Sequence, residues 1–220
     1  MYTVPNEVVA KRLGVPNING LGILSTINKI QWPQMNGPWV AGGAIRRIFT
    51  GEEQNSDIDY FFRNEEQFEQ AKTSVEAAGG ILRGRNDMNH SYVIPAAEEI
   101  VLSEETGDET PFKNFVAEQK VQLIHFRFYN NPAEVLDSFD YTLSQFLWDG
   151  SYFHFGDFAL FDVARKKLVP HKVTYGVSTL RRMLKYTDQG YTICAGGLGD
   201  ILRQVAEEPS VINQEVLYID

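Results

Sequence analysis

Two adjacent glycines and two carboxylates one residue apart stand close together in the segment WVAGGAIRRIFTGEEQNSDIDYFF, residues 39–62. Gly42 and Gly43 carry no Cβ, so the backbone N–H groups of the turn are open to close approach by an anion. A helix starting there adds the positive end of its dipole, which favours phosphate. Asp57 and Asp59 sit at i and i+2 of an alternating run, and on a strand that spacing sends both carboxylates to the same side. Two carboxylates so close repel each other, and a hard divalent cation relieves the conflict. Mg²⁺ suits this arrangement, with Mn²⁺ as an alternative, because it takes one or two carboxylates together with substrate phosphates. The chemistry implied is metal-assisted phosphate transfer, with the cation on Asp57 and Asp59, the phosphates over Gly42 and Gly43, and Arg46 balancing charge.

The elements that must hold these groups are readable in outline. Trp39–Val40–Ala41 reads as a short buried strand, and residues 44–49 as a short helix after the Gly-Gly turn. Residues 56–62 alternate, with Ile58, Tyr60 and Phe62 on one face and Asp57, Asp59 and Phe61 on the other. Upstream, apolar spacing predicts a helix around Val8–Leu13 and a second over 21–30. Downstream, Asn64 caps a helix through Ala78, closed by Gly79–Gly80. Strands are expected at 81–83, 91–94 and 121–128, with the acidic tract 98–109 a loop or hairpin end. Pro132 starts a helix through Asp137 that continues or restarts over 138–148. A β-rich stretch is expected at 152–163, and helices at 177–186 and 199–207. These elements make an α+β fold.

Several other residues are chemically able. On the 177–186 helix, Arg181, Lys185 and Asp188 share one face, suited to a base, a triphosphate or an RNA phosphate, and equally to plain surface charge. Arg46 and Arg47 are either ligand-facing or a solvated helix face. His125 alternates within an apolar strand and reads as structural. Cys194, the one cysteine, reads as a small buried hydrophobe. Trp148, Phe153, Phe155 and Phe158 read as core.

Composition bounds the function. With 43% hydrophobic and 22% charged residues the chain is that of an ordinary globular protein. A net charge of −9 argues against a broad basic surface for extensive DNA binding. One cysteine and four scattered histidines exclude a disulfide framework and a zinc module. No apolar run is long enough for a membrane span, and the opening residues lack the apolar core of a secretory signal, so the expected setting is cytoplasmic.

The Gly42–Gly43 turn, Arg46 and Asp57-Ile58-Asp59 together resemble the signature of the DNA polymerase β–like nucleotidyltransferase superfamily. The run Gly42, Gly43, Ala44, Ile45, Arg46 is most similar to the head of the tRNA nucleotidyltransferase and poly(A) polymerase branch, although Arg47 stands where that branch has Asp. Residues 178–193 are similar to its Arg-rich neck helix, one residue short in spacing. The resemblance implies a nucleotidyltransferase-like mixed β-sheet flanked by helices over residues 1–130. A mainly helical C-terminal lobe over 131–220 would pack against it. It implies ATP or another NTP as donor, an acceptor hydroxyl on an RNA end, a protein or a small molecule, and pyrophosphate as the leaving group. Asp57 and Asp59 would be catalytic and metal-binding, while Gly42, Gly43, Arg46, Arg181 and Lys185 would bind the nucleotide.

Active members also carry a third carboxylate on a later strand, as base or metal ligand. The strand expected here, VQLIHFRF at 121–128, has none, with Gln122 or Ile124 in its place. Asp140 is the candidate substitute, and Glu118 a further one. The alternative function is a module of this fold that has lost its chemistry and binds a nucleotide or a protein partner.

Overall fold

A computed structural model describes residues 1–18, 22–101 and 112–212. Its elements are β1 (Tyr2–Pro5), α1 (Asn6–Leu13), α2 (Gly22–Ile30), β2 (Trp39–Ala41), α3 (Gly43–Thr50), β3 (Ile58–Phe61), α4 (Glu65–Ala77), β4 (Ile81–Arg85) and β5 (Asn89–Ile94). There follow β6 (Ala97–Val101), β7 (Phe112–Val116), β8 (Gln119–Ile124), α5 (Pro132–Asp137), β9 (Phe146–Trp148), β10 (Tyr152–Phe155), α6 (Ala159–Ala164), α7 (Gly176–Asp188) and α8 (Ala195–Glu207). The main sheet has eight strands in the order β1-β10-β9-β2-β3-β8-β5-β4, and β6 pairs with β7 apart from it. The fold is thus α+β, a mixed sheet flanked by helices. β3 and β8 run parallel, and every other neighbouring pair in the sheet is antiparallel.

The two faces of the sheet follow from alternation. Val40, Ile58, Tyr60, Phe62 and Leu123 join the larger core with the buried faces of α1 to α4. Trp39, Ala41, Phe61 and Ile124 turn the other way and pack with Val135 and Leu136 of α5 and with Tyr129. Asp59 lies between Tyr60 and Ile58 in sequence, so it shares the face of Phe61. Its place in the sheet is fixed on both sides, opposite Ala41 on β2 and Gln122 on β8.

Local chemistry accounts for most boundaries. Asn64 and Asn131 cap α4 and α5 by accepting from the N–H groups of Gln67 and Glu134. Pro132 occupies the first turn of α5, where no N–H is missed. Gly51 ends α3 in the left-handed region, at φ 65°.

The structure corrects several expectations. Residues 138–148 do not continue a helix: a 3-10 turn at Thr142–Ser144 leads into β9. A short run of buried apolar residues is equally compatible with strand or helix, and here pairing with β2 and β10 decides it. The β-rich stretch ends with β10, and α6 follows it. Because β9 and β10 belong to the main sheet, the sheet crosses residue 130, and helices dominate only from 159 onward. Strand β1 has no alternation to announce it and is made a strand by pairing with β10 at the edge. Residues 98–101 of the acidic tract are strand, and its remainder lies outside the described residues. Cys194 is exposed, and its sulfur caps α8 by accepting from Gly197 N–H. Phe158 is 64% exposed, while Trp148, Phe153 and Phe155 are core as expected.

Candidate active site

The open end of the sheet and α7 enclose a cleft of about 710 Å³, a volume typical of small-molecule sites. The sheet and its turns contribute Gly42, Gly43, Ser56, Asp57, Asp59 and Gln122, the α7 region contributes Arg181, Arg182, Lys185, Tyr186 and Gln189, and Asp140 joins them from the segment after α5. Phe61, Ile124, Tyr129 and Phe139 contribute apolar surface. Gly42, Gly43, Arg46, Asp57, Asp59 and Asp140 all line this one cleft, together with Arg181 and Lys185, which come from a helix more than a hundred residues after the Gly-Gly turn.

The turn itself needs both glycines. Gly42 has φ 88° and ψ −144°, which a side chain would strain. Gly43 has ordinary φ but no room: a Cβ there would stand 2.4 Å from Ser56 Oγ. Gly42 donates its own N–H to the Phe146 carbonyl at 2.7 Å, which pins the turn to β9. The N–H groups available to an anion are therefore those of the first turn of α3 beyond it.

The neighbouring arginines have different roles. Both are buried, so the reading as a solvated face fails. Arg47 donates to the Glu53 carbonyl and to Asn55 Oδ1, holding the loop that delivers Asp57. Burial, and then the Arg46 charge, lower its pKa. Arg46 is 1% exposed, its guanidinium near the rings of Tyr186 and Tyr191 at 5.5 and 5.3 Å. Its Nη2 reaches Gln189 Oε1 at 3.2 Å and Glu52 at 3.5 Å, while buried Nε and Nη1 have no hydrogen-bond partner. Two orphaned cationic donors beside a cleft fit an incoming anion.

The carboxylates divide in the same way. Burial pushes the Asp59 carboxyl up to about 8, the Asp57 charge adds to this, and Lys185 and Arg182 offset it only in part. A deficit of positive charge at paired carboxylates is what a hard cation satisfies. Among the described residues no group of three or more His, Cys, Asp or Glu forms a metal cluster. A cation would therefore depend on this pair and on substrate oxygens. Asp140 is also raised by burial, but Arg182 Nε donates to its Oδ2 at 2.5 Å. It lines the cleft as half of an ion pair. Glu118 is exposed and does not line the cleft.

The third-carboxylate position is occupied by an amide. Gln122, 4% exposed, is the register partner of Asp59. Its Nε2 donates to Asp57 Oδ2 at 2.7 Å, and its Oε1 accepts from Asn89 Nδ2 at 2.8 Å. Asn89, Ser56, Tyr186 and Gln189 were not anticipated as site residues. No local pattern marks them, because each enters through a contact with a distant element. His125 is structural as expected, packing on Phe68 and facing the Asn86 carbonyl.

Residues 21–166 match the profile of the Gabija anti-defense 2 family. This chain belongs to the Gabija anti-defense 2 family. A protein named Gabija anti-defense 2, from Bacillus phage SPbetaL7, is 26% identical over 158 residues. That match covers 70% of this chain and 34% of the relative, so this family member spans about a third of the relative's length. The family match includes everything from Gly42 to Asp140 and stops before α7.

Solved structures of CCA-adding enzymes share the fold. One in complex with CTP superposes with a TM-score of 0.55 at 16% identity, covering 97% of this chain and 49% of the enzyme. One with ATP gives 0.56 at 16% identity, over 97% and 48%. The Thermotoga maritima enzyme complexed with tRNA gives 0.54 at 14%, over 94% and 46%. The fold of this Gabija anti-defense 2 family member is thus nucleotidyltransferase-like, and the chain spans about half the length of those enzymes. No helix among the described residues is long and apolar enough to cross a membrane.

Proposed function

We propose that the protein is a metal-dependent nucleotidyltransferase. It moves a nucleoside monophosphate from an NTP to an acceptor oxygen and releases pyrophosphate. One observation carries this reading: a pair of carboxylates short of positive charge and a buried arginine with orphaned donors face one cleft across a Gly-Gly turn. Asp57 and Asp59 would hold Mg²⁺ or Mn²⁺, whose chemistry there is to neutralise phosphate charge in the displacement. Arg46 and the first turn of α3, with Gly42 and Gly43 shaping the approach, would receive the phosphates. Arg181 and Lys185 would contact the nucleotide from the opposite wall, and Asp140 would fix Arg182 there. CCA-adding enzymes in complex with CTP, ATP and tRNA share the fold, which supports an NTP donor and keeps an RNA end among the acceptors, beside a protein or a small molecule. The family name supports a role against a Gabija defence, exerted through this transfer inside the infected cell.

The Gln122 amide favours a second reading, a nucleotide-binding module without turnover. Thermal unfolding with each NTP, with and without Mg²⁺, tests the site first. Ligand at about a hundred times its dissociation constant adds about 2.7 kcal/mol. For a chain of this size that is a rise of about 5–10 °C. The rise should require Mg²⁺ and disappear in Asp57→Asn/Asp59→Asn. Absence of any rise with saturating nucleotide would refute both readings. Release of pyrophosphate from wild type, lost in Asp59→Asn, separates the enzyme from the module.

A further inference from the structure

An acceptor hydroxyl has to lose a proton as it attacks, and among the described residues the cleft offers few places for that proton to go. Asp57 and Asp59 are the pair that a cation would take. Gln122 stands in register beside Asp59, and an amide is no base. Nor is it free to turn: its NH₂ is spent on Asp57 and its carbonyl on Asn89. Asp140 is buried and ion-paired with Arg182. Asp188 also lines the cleft, as an exposed side chain at the end of α7 about two helical turns from Arg181, and the Asp188→Asn variant below tests it as the remaining base. No histidine lines the cleft among the described residues. The α7 wall, by contrast, presents Arg181 and Lys185 one turn apart. Such cations are suited to a phosphate.

Resting on the nucleotidyl-transfer reading, we infer that the acceptor oxygen arrives already ionised, as the phosphate of a phosphomonoester. The hydroxyl expected from the sequence is replaced by a group that needs no base. The phosphomonoester oxyanion attacks the α-phosphorus of the NTP and forms a P–O–P bond. The bond from the α-phosphorus to the bridging oxygen breaks, and its electron pair leaves with pyrophosphate. No proton has to be removed and nothing is oxidised or reduced. The product is a phosphoanhydride carrying the nucleoside monophosphate.

The test supplies wild-type protein and Mg²⁺ with α-³²P-labelled NTP and paired probes: ribose 5-phosphate against ribose, and RNA ending in a 3′-phosphate against RNA ending in a 3′-hydroxyl. A positioned base is worth about 10²–10⁴-fold in rate. Phosphorylated probes should accordingly be labelled at least about 100-fold faster than their hydroxyl partners, and ³¹P NMR should show an anhydride. The second ionisation of a phosphomonoester is complete above pH 7, its pKa being about 6. With Mg²⁺ saturating at each pH, so that Asp57 and Asp59 are held ionised, the rate should therefore be nearly flat from pH 7 to 9. Gln122→Glu should raise labelling of the hydroxyl probes. Comparable or faster labelling of hydroxyl probes by wild type overturns the inference, as does hydroxyl labelling that Asp188→Asn abolishes. Failure to label any phosphorylated probe, with NTP-dependent stabilisation intact, overturns it while leaving the nucleotide site standing. Loss of that stabilisation would instead remove the reading beneath it.

Discussion

Asp59 and Asp140 are two carboxyls in one cleft, both pushed up by burial, and they differ in what the protein sets against that burial. Asp140 has Arg182 at 2.5 Å. Asp59 has another carboxylate beside it and only partial relief from Lys185 and Arg182. Arg47 and Arg46 repeat the contrast with opposite charge. Arg47 is bonded to the loop beneath it and leaves one buried donor open, Nε, while Arg46, with Glu52 at 3.5 Å, leaves two, Nε and Nη1. Where the fold satisfies a buried charged group, that group is structural; where it crowds carboxylates together or leaves cationic donors open, a ligand can complete them. The crowded carboxylates and the guanidinium with open donors have opposite signs, as a metal-bound phosphate would require.

Breaking the matched pair gives the largest stability effect. Asp140→Ala should cost about 3 kcal/mol, at the low end for a buried pair because Arg182 keeps some solvent. That lowers the unfolding midpoint by roughly 6–12 °C. Asp140→Asn combined with Arg182→Met should recover part of the loss, whereas equal loss in the double variant would show that the charges were never coupled. Arg47→Met comes next, at about 2 kcal/mol for lost charged hydrogen bonds, read in the same melts. Arg46→Met sharpens the contrast. It should leave the ligand-free melt nearer wild type than Arg47→Met does, and weaken Mg·NTP binding about 10–100-fold by titration, the worth of one or two charged hydrogen bonds. The reverse pattern would make Arg46 structural.

A smaller effect tests the same logic away from the cleft. Asp149 is raised by burial, but the bond from His154 and the N–H groups of Tyr152 and Ser151 outweigh this and hold it low. A depressed carboxylate stabilises the fold above its unfolded value, near 3.9, and loses that contribution as pH falls through the folded value. Asp149→Asn should therefore cost about 1–2 kcal/mol at pH 7. It should also flatten the acid limb below pH 4 in urea titrations. Smallest, and opposite in sign, Asp59→Asn without metal should gain about 1 kcal/mol, since it removes one of two repelling carboxylates at an open cleft.

How much of this could be seen in the chain depends on reach. The Gly-Gly turn, the strand carrying Asp57 and Asp59, and the opposed faces of Ile58 and Phe61 follow from periods of two and a turn, all within one segment. The helices with capping residues, α4 and α5, were legible for the same reason. β1 and β9 were not: neither carries an alternation or a turn signal to announce it, and each becomes a strand through its neighbours, β10 for β1 and both β2 and β10 for β9. That is also why the sheet runs past residue 130. Gln122 stands where the resemblance implies a carboxylate, but its bonds to Asp57 and Asn89 depend on the pairing of β8 with β3 and β5.

The sequence by itself determined the chemistry on offer, glycines for an anion and paired carboxylates for a cation, because both are encoded in residue type and local spacing. Only the tertiary structure decided which charged groups stay unsatisfied. Arg46 and Arg47 are adjacent and identical in type, and Asp59 and Asp140 are both aspartates. Their difference lies in neighbours brought from distant elements, and burial makes each such neighbour decisive because water no longer compensates for a missing one.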